Sequence, residues 1–270
     1  MMLGVSTSVL KVKSDLEALL AYEPDLVEFY TYPVEALARI RKFCADHGIT
    51  PALHTPTPHP QLMSRYCPTG PDAREAAAAV EALEATVRCA ADLGAQHVVA
   101  HFPTPYPPYP AEGFEDLAGA FLSEAARLSR AFQVSVLIEN MTHNPHCAKP
   151  EQYARYLAEW PDLGLCLDIG HAHQLGGPEA VRSFADVLGP RIRSVHLYDN
   201  DRSGPGHRPY PAPGGGTQPQ VSYDVVAHVL RTCRPSVVVL EHDAGHGQPD
   251  RRLLDWLREP AERLSPRSEQ

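Results

Sequence analysis

The chain has no C-x-x-C pair. Its six cysteines, Cys44, Cys67, Cys89, Cys147, Cys166 and Cys233, are scattered, so no zinc knuckle or dithiol redox motif is legible. It has no basic excess either: 24 Lys and Arg stand against 33 Asp and Glu, a formal net charge of −9. A nucleic-acid binder usually shows a basic face, so the balance argues against one while leaving room for a local basic patch. No stretch approaches 18 uninterrupted apolar residues, which argues against a membrane-spanning helix. The opening residues MMLGVSTSVL lack the basic segment and long apolar run of a secretory signal. These absences together predict a soluble protein of a reducing, cytoplasmic compartment. No G-x-G-x-x-G follows the first predicted strand, which weighs against an open, doubly wound dinucleotide-binding sheet.

What is present points to an ordered α/β chain. Apolar residues make up 43% and charged residues 21%, a balance that permits a substantial core and disfavours bulk disorder. A length of 270 residues is long for one ordinary domain and typical of one eight-fold α/β barrel. Short β-branched apolar runs alternate with helical patterns. Strands are predicted at Leu3–Leu10, Asp25–Tyr32, Ile49–Thr55, His97–His101, Val134–Asn140, Leu163–Ile169, Ile192–Tyr198 and Ser236–Glu241. Helices are predicted near Leu16–Leu20 and over Val34–His47, Ala73–Leu93, Gly113–Phe132, Pro150–Trp160, Pro178–Leu188, Ser222–Arg231 and Asp250–Leu264. Eight strand–helix units imply parallel strands with crossover helices, and eight is the number that closes a barrel. The expected architecture is therefore a single (β/α)8 TIM barrel over residues 1–270. Two Pro- and Gly-rich segments, at about 102–112 and 199–221, interrupt the rhythm. Both follow a strand, on the face where barrel enzymes work, and are expected to wall or cover the site.

Polar residues stand where core-facing strands would otherwise carry Val, Ile or Leu. His54 ends the third predicted strand, His101 the fourth, Glu139 the fifth and Asp168 the sixth, with His171 three residues on. His196 lies near the end of the seventh, and Glu241 ends the eighth. A buried carboxylate costs several kcal/mol, to order of magnitude, unless it is paired or bound to a metal. Six strands doing this at one end is hard to explain as packing. If the residues converge, mixed carboxylate and imidazole ligation suits Mn²⁺, Zn²⁺, Fe²⁺ or Co²⁺ better than Ca²⁺. Among the other histidines, His143, His146, His242 and His246 read as loop residues. His47, His97 and His228 read as lying away from this end.

With these motifs in view, the sequence resembles the xylose isomerase-like barrels, a superfamily of sugar isomerases and epimerases that also includes endonuclease IV-type enzymes. The residues that carry the resemblance are LHTP at His54, VVAHFP at His101, LIEN at Glu139, CLDIGH at Asp168 to His171, SVHLYD at His196 and VLEHD at Glu241. The resemblance implies one divalent ion, Mn²⁺ or Zn²⁺ first and Co²⁺, Fe²⁺ or Mg²⁺ as alternatives, held by Glu139, Asp168, His196 and Glu241. It implies a sugar or sugar phosphate substrate, with Glu139 and Glu241 moving its proton through a metal-stabilised enediolate. It places His171, Arg202, His207 and Glu28 among the substrate-binding groups. The endonuclease branch implies a different use of the same cradle. There His54 and His101 hold a second ion bridged by Glu139, His171 and His207 help to hold a third, and the substrate is abasic DNA or a small phosphodiester. Pro205 stands where that branch carries a carboxylate two before His207, and H-F-P replaces its H-P-G after the fourth strand. A non-catalytic binding protein would be expected to have lost a core ligand, and none is lost. Gly214, Gly215 and Gly216 are either a phosphate-binding turn of backbone N–H groups or simply a flexible one. The chain leaves room for a homo-oligomer.

Overall fold

The computed structural model describes residues 1–260 apart from 62, 64, 143 and 205. His143 and the expected end of the last helix beyond residue 260 lie outside the described residues. The strands are β1 (Met2–Ser6), β2 (Leu26–Tyr30), β3 (Thr50–His54), β4 (His97–Phe102), β5 (Ser135–Asn140), β6 (Gly164–Asp168), β7 (Ile192–Leu197) and β8 (Val237–Leu240). They form one closed barrel in sequence order. The helices are α1 (Leu37–His47), α2 (Ala73–Leu93), α3 (Phe114–Phe132), α4 (Pro150–Glu159), α5 (Ile169–Leu188), α6 (Tyr223–Cys233) and α7 (Arg251–Arg258). No described helix is long and apolar enough to cross a membrane.

The chain divides into two compact units, Met1–Val27 with Leu167–Gln270, and Glu28–Cys166. In the first, β8 pairs in parallel with β1 and with β7, and His196 sits opposite Val239. In the second, β4 pairs in parallel with β3 and β5, so His101 sits directly beside Glu139, and Glu139 pairs in turn with Cys166. Alternate residues of a strand share a face. Val99, Leu137 and Cys166 form one buried cluster. His101 and Glu139 therefore continue the face of Val99 and Leu137, one step nearer the C-terminal end.

Three element ends differ from the sequence expectation by four residues or more, and one short helix is of 3₁₀ type. β1 stops at Ser6 rather than Leu10, because the Ser6 hydroxyl accepts the Ser8 N–H at 3.2 Å and turns the chain into a 3₁₀ helix at Thr7–Val9. The first crossover helix, Leu16–Tyr22, is 3₁₀ rather than α. α5 begins at Ile169, not Pro178, because Asp168 caps it. The helix then breaks at Gly176–Gly177 before resuming at the proline. α7 ends at Arg258, with Glu259 extended, as expected of a residue preceding proline.

The two Pro-rich segments are tied down. Thr104 and Thr69 exchange hydrogen bonds, each backbone N–H donating to the other's hydroxyl at 3.0 and 2.8 Å. In the longer segment, Asp199 and Arg208 pair through their backbones in both directions. The buried Asp199 carboxylate accepts the N–H groups of Gln220 and Val221 at 2.9 and 3.2 Å. The two ends of the loop thus meet on one side chain. Asp199→Ala would leave the buried Val221 N–H without its acceptor and is expected to cost about 1–3 kcal/mol in urea denaturation. Asp199→Asn, which keeps one oxygen, should lose less. Equal losses for the two variants would show that the oxygen is not what holds the loop.

Candidate metal centre

In the first unit, Asp168, His196 and Glu241 present ligand atoms that all lie within 4.8 Å of one another. His196 Nδ1 is 2.7 Å from Glu241 Oε2 and 3.9 Å from Asp168 Oδ2. Asp168 and His196 are 0% exposed and Glu241 8%. Each position follows from its strand. Asp168 closes β6, and its Oδ1 accepts the His171 N–H at 2.6 Å, so one oxygen starts α5 while the other faces the imidazole. Glu241 lies one residue past β8, where its N–H still donates to the Leu197 carbonyl at 3.2 Å.

The second unit holds His54, His101 and Glu139, whose ligand atoms also lie within 4.8 Å of one another. His54 Nδ1 is 2.9 Å from the Thr55 carbonyl. A carbonyl only accepts, so Nδ1 carries the hydrogen. Nε2, 3.0 Å from Glu139 Oε2, is then the nitrogen with a lone pair to give, the tautomer that a metal-binding histidine needs. His101 Nε2 lies 3.4 Å from the same oxygen. Two imidazole nitrogens aimed at one buried carboxylate oxygen suit a cation set among them. The donor set, nitrogen and carboxylate oxygen without thiolate, fits Zn²⁺, Mn²⁺, Fe²⁺ or Co²⁺.

The remaining expected residues are placed less uniformly. His171 Nδ1 lies 3.5 Å from Asp168 Oδ2. His207 stacks on Tyr198 with ring centres 3.8 Å apart, and its Nδ1–H is directed to the Glu241 carbonyl at 3.2 Å. Its backbone is tied to Asp243 in both directions. Arg202 takes a left-handed backbone conformation with φ of 66°, and its guanidinium lies close to Gly177, at the break in α5. Glu28 is 0% exposed, and its Oε2 is 3.5 Å from His97 Nε2. His97 does open β4, at the N-terminal end, as expected, yet it is buried beside that carboxylate. At the triple glycine, the Gly215 N–H donates to the Ala212 carbonyl at 3.1 Å. The first turn of α7 is already capped by Asp250. The protein's own groups therefore fill two of the N–H positions that a phosphate would need.

Two residues near the site escaped the sequence reading. Lys13 donates from Nζ to the Thr7 carbonyl at 3.1 Å. Burial lowers its pKa, and the charge of Glu241 opposes that shift. Nothing at the end of β1 signalled it, since that strand carries no acid or histidine. Tyr198, the tyrosine of SVHLYD, is fully buried. A Cβ on Gly170 would lie 2.2 Å from its ring, so the glycine of DIGH is the space that the tyrosine occupies.

The comparisons with known proteins agree on the fold. The family model described as xylose isomerase-like TIM barrel matches residues 16–260. Among solved structures, a D-tagatose 3-epimerase-like protein superposes with a TM-score of 0.72 at 20% identity, covering 94% of each chain. An IOLI protein with a binding zinc atom gives 0.70 at 18%, covering 98% of this chain and 94% of the other. A Thermus thermophilus protein, TTHB071, soaked with ZnCl2, gives 0.69 at 21%, covering 100% of each. No curated protein matches the sequence.

Two outcomes are expected from this geometry. Gly170→Ala should cost about 1–3 kcal/mol, as overpacking does, and the same substitution should cost less in a Tyr198→Ala background, where the ring is gone. A single variant as stable as the parent would disprove the steric argument. His173 on α5 is buried, and burial holds its pKa below the usual histidine value. The Arg202 charge acts in the same direction, while the Asn200 backbone and Asp199 act against it. The unfolded chain then takes up a proton near pH 6.5 that the folded chain refuses. Stability should fall as the pH drops through about 6.5, and His173→Gln should flatten that part of the curve. An unchanged slope would remove His173 as its source.

Proposed function

Since the chain belongs to the xylose isomerase-like TIM barrel family, we propose that it is a divalent-metal-dependent isomerase or epimerase of a sugar or sugar phosphate. The observation that carries this reading is the buried Asp168–His196–Glu241 trio. Glu139 is proposed as the fourth ligand. Supporting this, β5 and β6 are neighbours in the barrel, and Glu139 pairs with Cys166, two residues before Asp168. Of the structures of similar fold, the IOLI protein has a binding zinc atom and TTHB071 was soaked with ZnCl2. An ion held there would act as a Lewis acid, stabilising negative charge on a substrate oxygen.

The protein's own part is proton transfer. Glu139 and Glu241 are proposed as base and acid on the carbon next to the substrate carbonyl, a role worth about 10²–10⁴-fold in rate. His171 and His207 are proposed to bind sugar hydroxyls beside the trio. Arg202 joins them if its side chain turns away from Gly177. The filled N–H positions at Gly215 and at the start of α7 favour a substrate without phosphate at that place.

A second reading is a two-metal phosphodiester hydrolase, favoured by one observation. His54, His101 and Glu139 already have the donor geometry of a separate ion site. Metal content decides between the readings. The isomerase reading expects one tightly held ion per chain, exchange of solvent hydrogen into a ketose, and no cleavage of bis-p-nitrophenyl phosphate. Glu139→Gln should weaken the metal and abolish exchange, and chelator should lower the melting temperature by mass action. Two tightly held ions, reduced by one in His54→Ala and accompanied by diester cleavage, would replace the isomerase with the hydrolase. If chelation alters neither stability nor any turnover, the ligands are structural.

A further inference from the structure

Within the second unit lies a buried polar pair, Glu28 and His97, of which only Glu28 was given a role by the resemblance, among the substrate-binding groups. Glu28 is in the middle of β2 and is 0% exposed. His97 opens β4 and is 2% exposed. Their facing atoms are 3.5 Å apart. On β4, His97, Val99 and His101 share one face, so His97 lies two steps below His101, with Val99 between them. Stability does not account for such a pair. A buried ionic pair replaced by well-packed apolar residues of similar volume is often neutral or stabilising.

The pair does have a neighbour on which it can act. The Glu28 carboxylate comes within 4.8 Å of a His54 ring nitrogen. Two residues farther along β2, Tyr30 packs edge-on against the same imidazole at 4.8 Å between ring centres. His54 Nε2 in turn faces Glu139 Oε2 at 3.0 Å. The buried polar groups therefore run His97, Glu28, His54, Glu139. A buried carboxylate this close to the imidazole makes the site more negative and so favours a cation there, an effect to be compared with the 10–100-fold by which hydrogen-bonded partners of metal ligands typically govern affinity.

We infer that Glu28 and His97 are positioning residues: the Glu28 carboxylate strengthens His54 and Glu139 as cation ligands, and His97 is the partner that lets a carboxylate sit in the barrel interior. This rests on the metal reading of the site, and it gives Glu28 a role beneath the ligands rather than on the substrate.

Zn²⁺ affinity measured on the full chain by competition with a chromophoric chelator tests the inference, together with melting of the metal-free protein. Glu28→Gln keeps the shape and removes the charge, and should weaken Zn²⁺ about ten-fold. Glu28→Leu with His97→Leu should melt no lower than the parent without metal, yet bind Zn²⁺ about 10–100-fold more weakly. His97→Leu alone should melt lower than the double variant, because it takes one partner from a buried carboxylate that remains. If Glu28→Gln and the double variant both bind Zn²⁺ within about two-fold of the parent, a gap too small for an outer-shell partner, the pair is packing and the inference fails while the metal reading stands. If the double variant does not fold, Glu28→Gln decides alone. A parent chain that binds no Zn²⁺ would sink the metal reading and this inference together, and that is seen before any substitution is made.

Discussion

Carboxylates held out of water at the ends of strands are the constraint on which the rest of this molecule turns. Asp168 and Glu139 are at most 1% exposed, and the imidazole between Asp168 and Glu241 is fully buried. Each of these groups would be costly alone. The fold provides for part of that cost through local hydrogen bonds. Asp168 spends one oxygen on the first turn of α5, where the positive end of the helix dipole also favours a negative charge. That single side chain fixes where the helix begins and where the other oxygen points. The remaining negative charge is what a divalent cation would balance.

The loops over the C-terminal strand ends are built to hold still around this charge. Asp199 gathers the two ends of the long loop after β7. His207 ties the middle of that loop to Glu241 and Asp243 through its ring and its backbone. Its ring also lies flat on Tyr198, which fills the space left by Gly170. A displacement of the loop would therefore be felt at Glu241. The proposed proton transfer by Glu241 would need this rigidity, because a proton is transferred efficiently only over hydrogen-bond distances.

The interior of the second unit joins polar and apolar groups. Val99, Leu137 and Cys166 form an apolar cluster, and β2 contributes Glu28 and Tyr30 to one side of His54. The orientation of the His54 ring is thus fixed from two directions, by the Thr55 carbonyl and by the residues packed against it.

Much of this was legible without coordinates. Eight apolar runs announced a parallel barrel, and the polar residues that end six of them, His54, His101, Glu139, Asp168, His196 and Glu241, marked one end as the candidate site, because hydrophobic periodicity is local and a polar residue breaks it visibly. Boundaries set by side-chain hydrogen bonds were not legible. The early stop of β1 at Ser6 and the early start of α5 at Asp168 depend on which N–H a hydroxyl or carboxylate reaches. Pairings across long stretches of chain were hidden as well. His97 meets Glu28 69 positions away, Lys13 comes under the charge of Glu241, and Tyr198 claims the space at Gly170. The sequence by itself determined the number of strands and the set of ionisable residues offered for a site, since both are written in the spacing of apolar and ionisable residues along the chain. Only the tertiary structure decided which buried charges face one another, because a partner's distance is set by strand register and loop closure, and neither is encoded in any one segment.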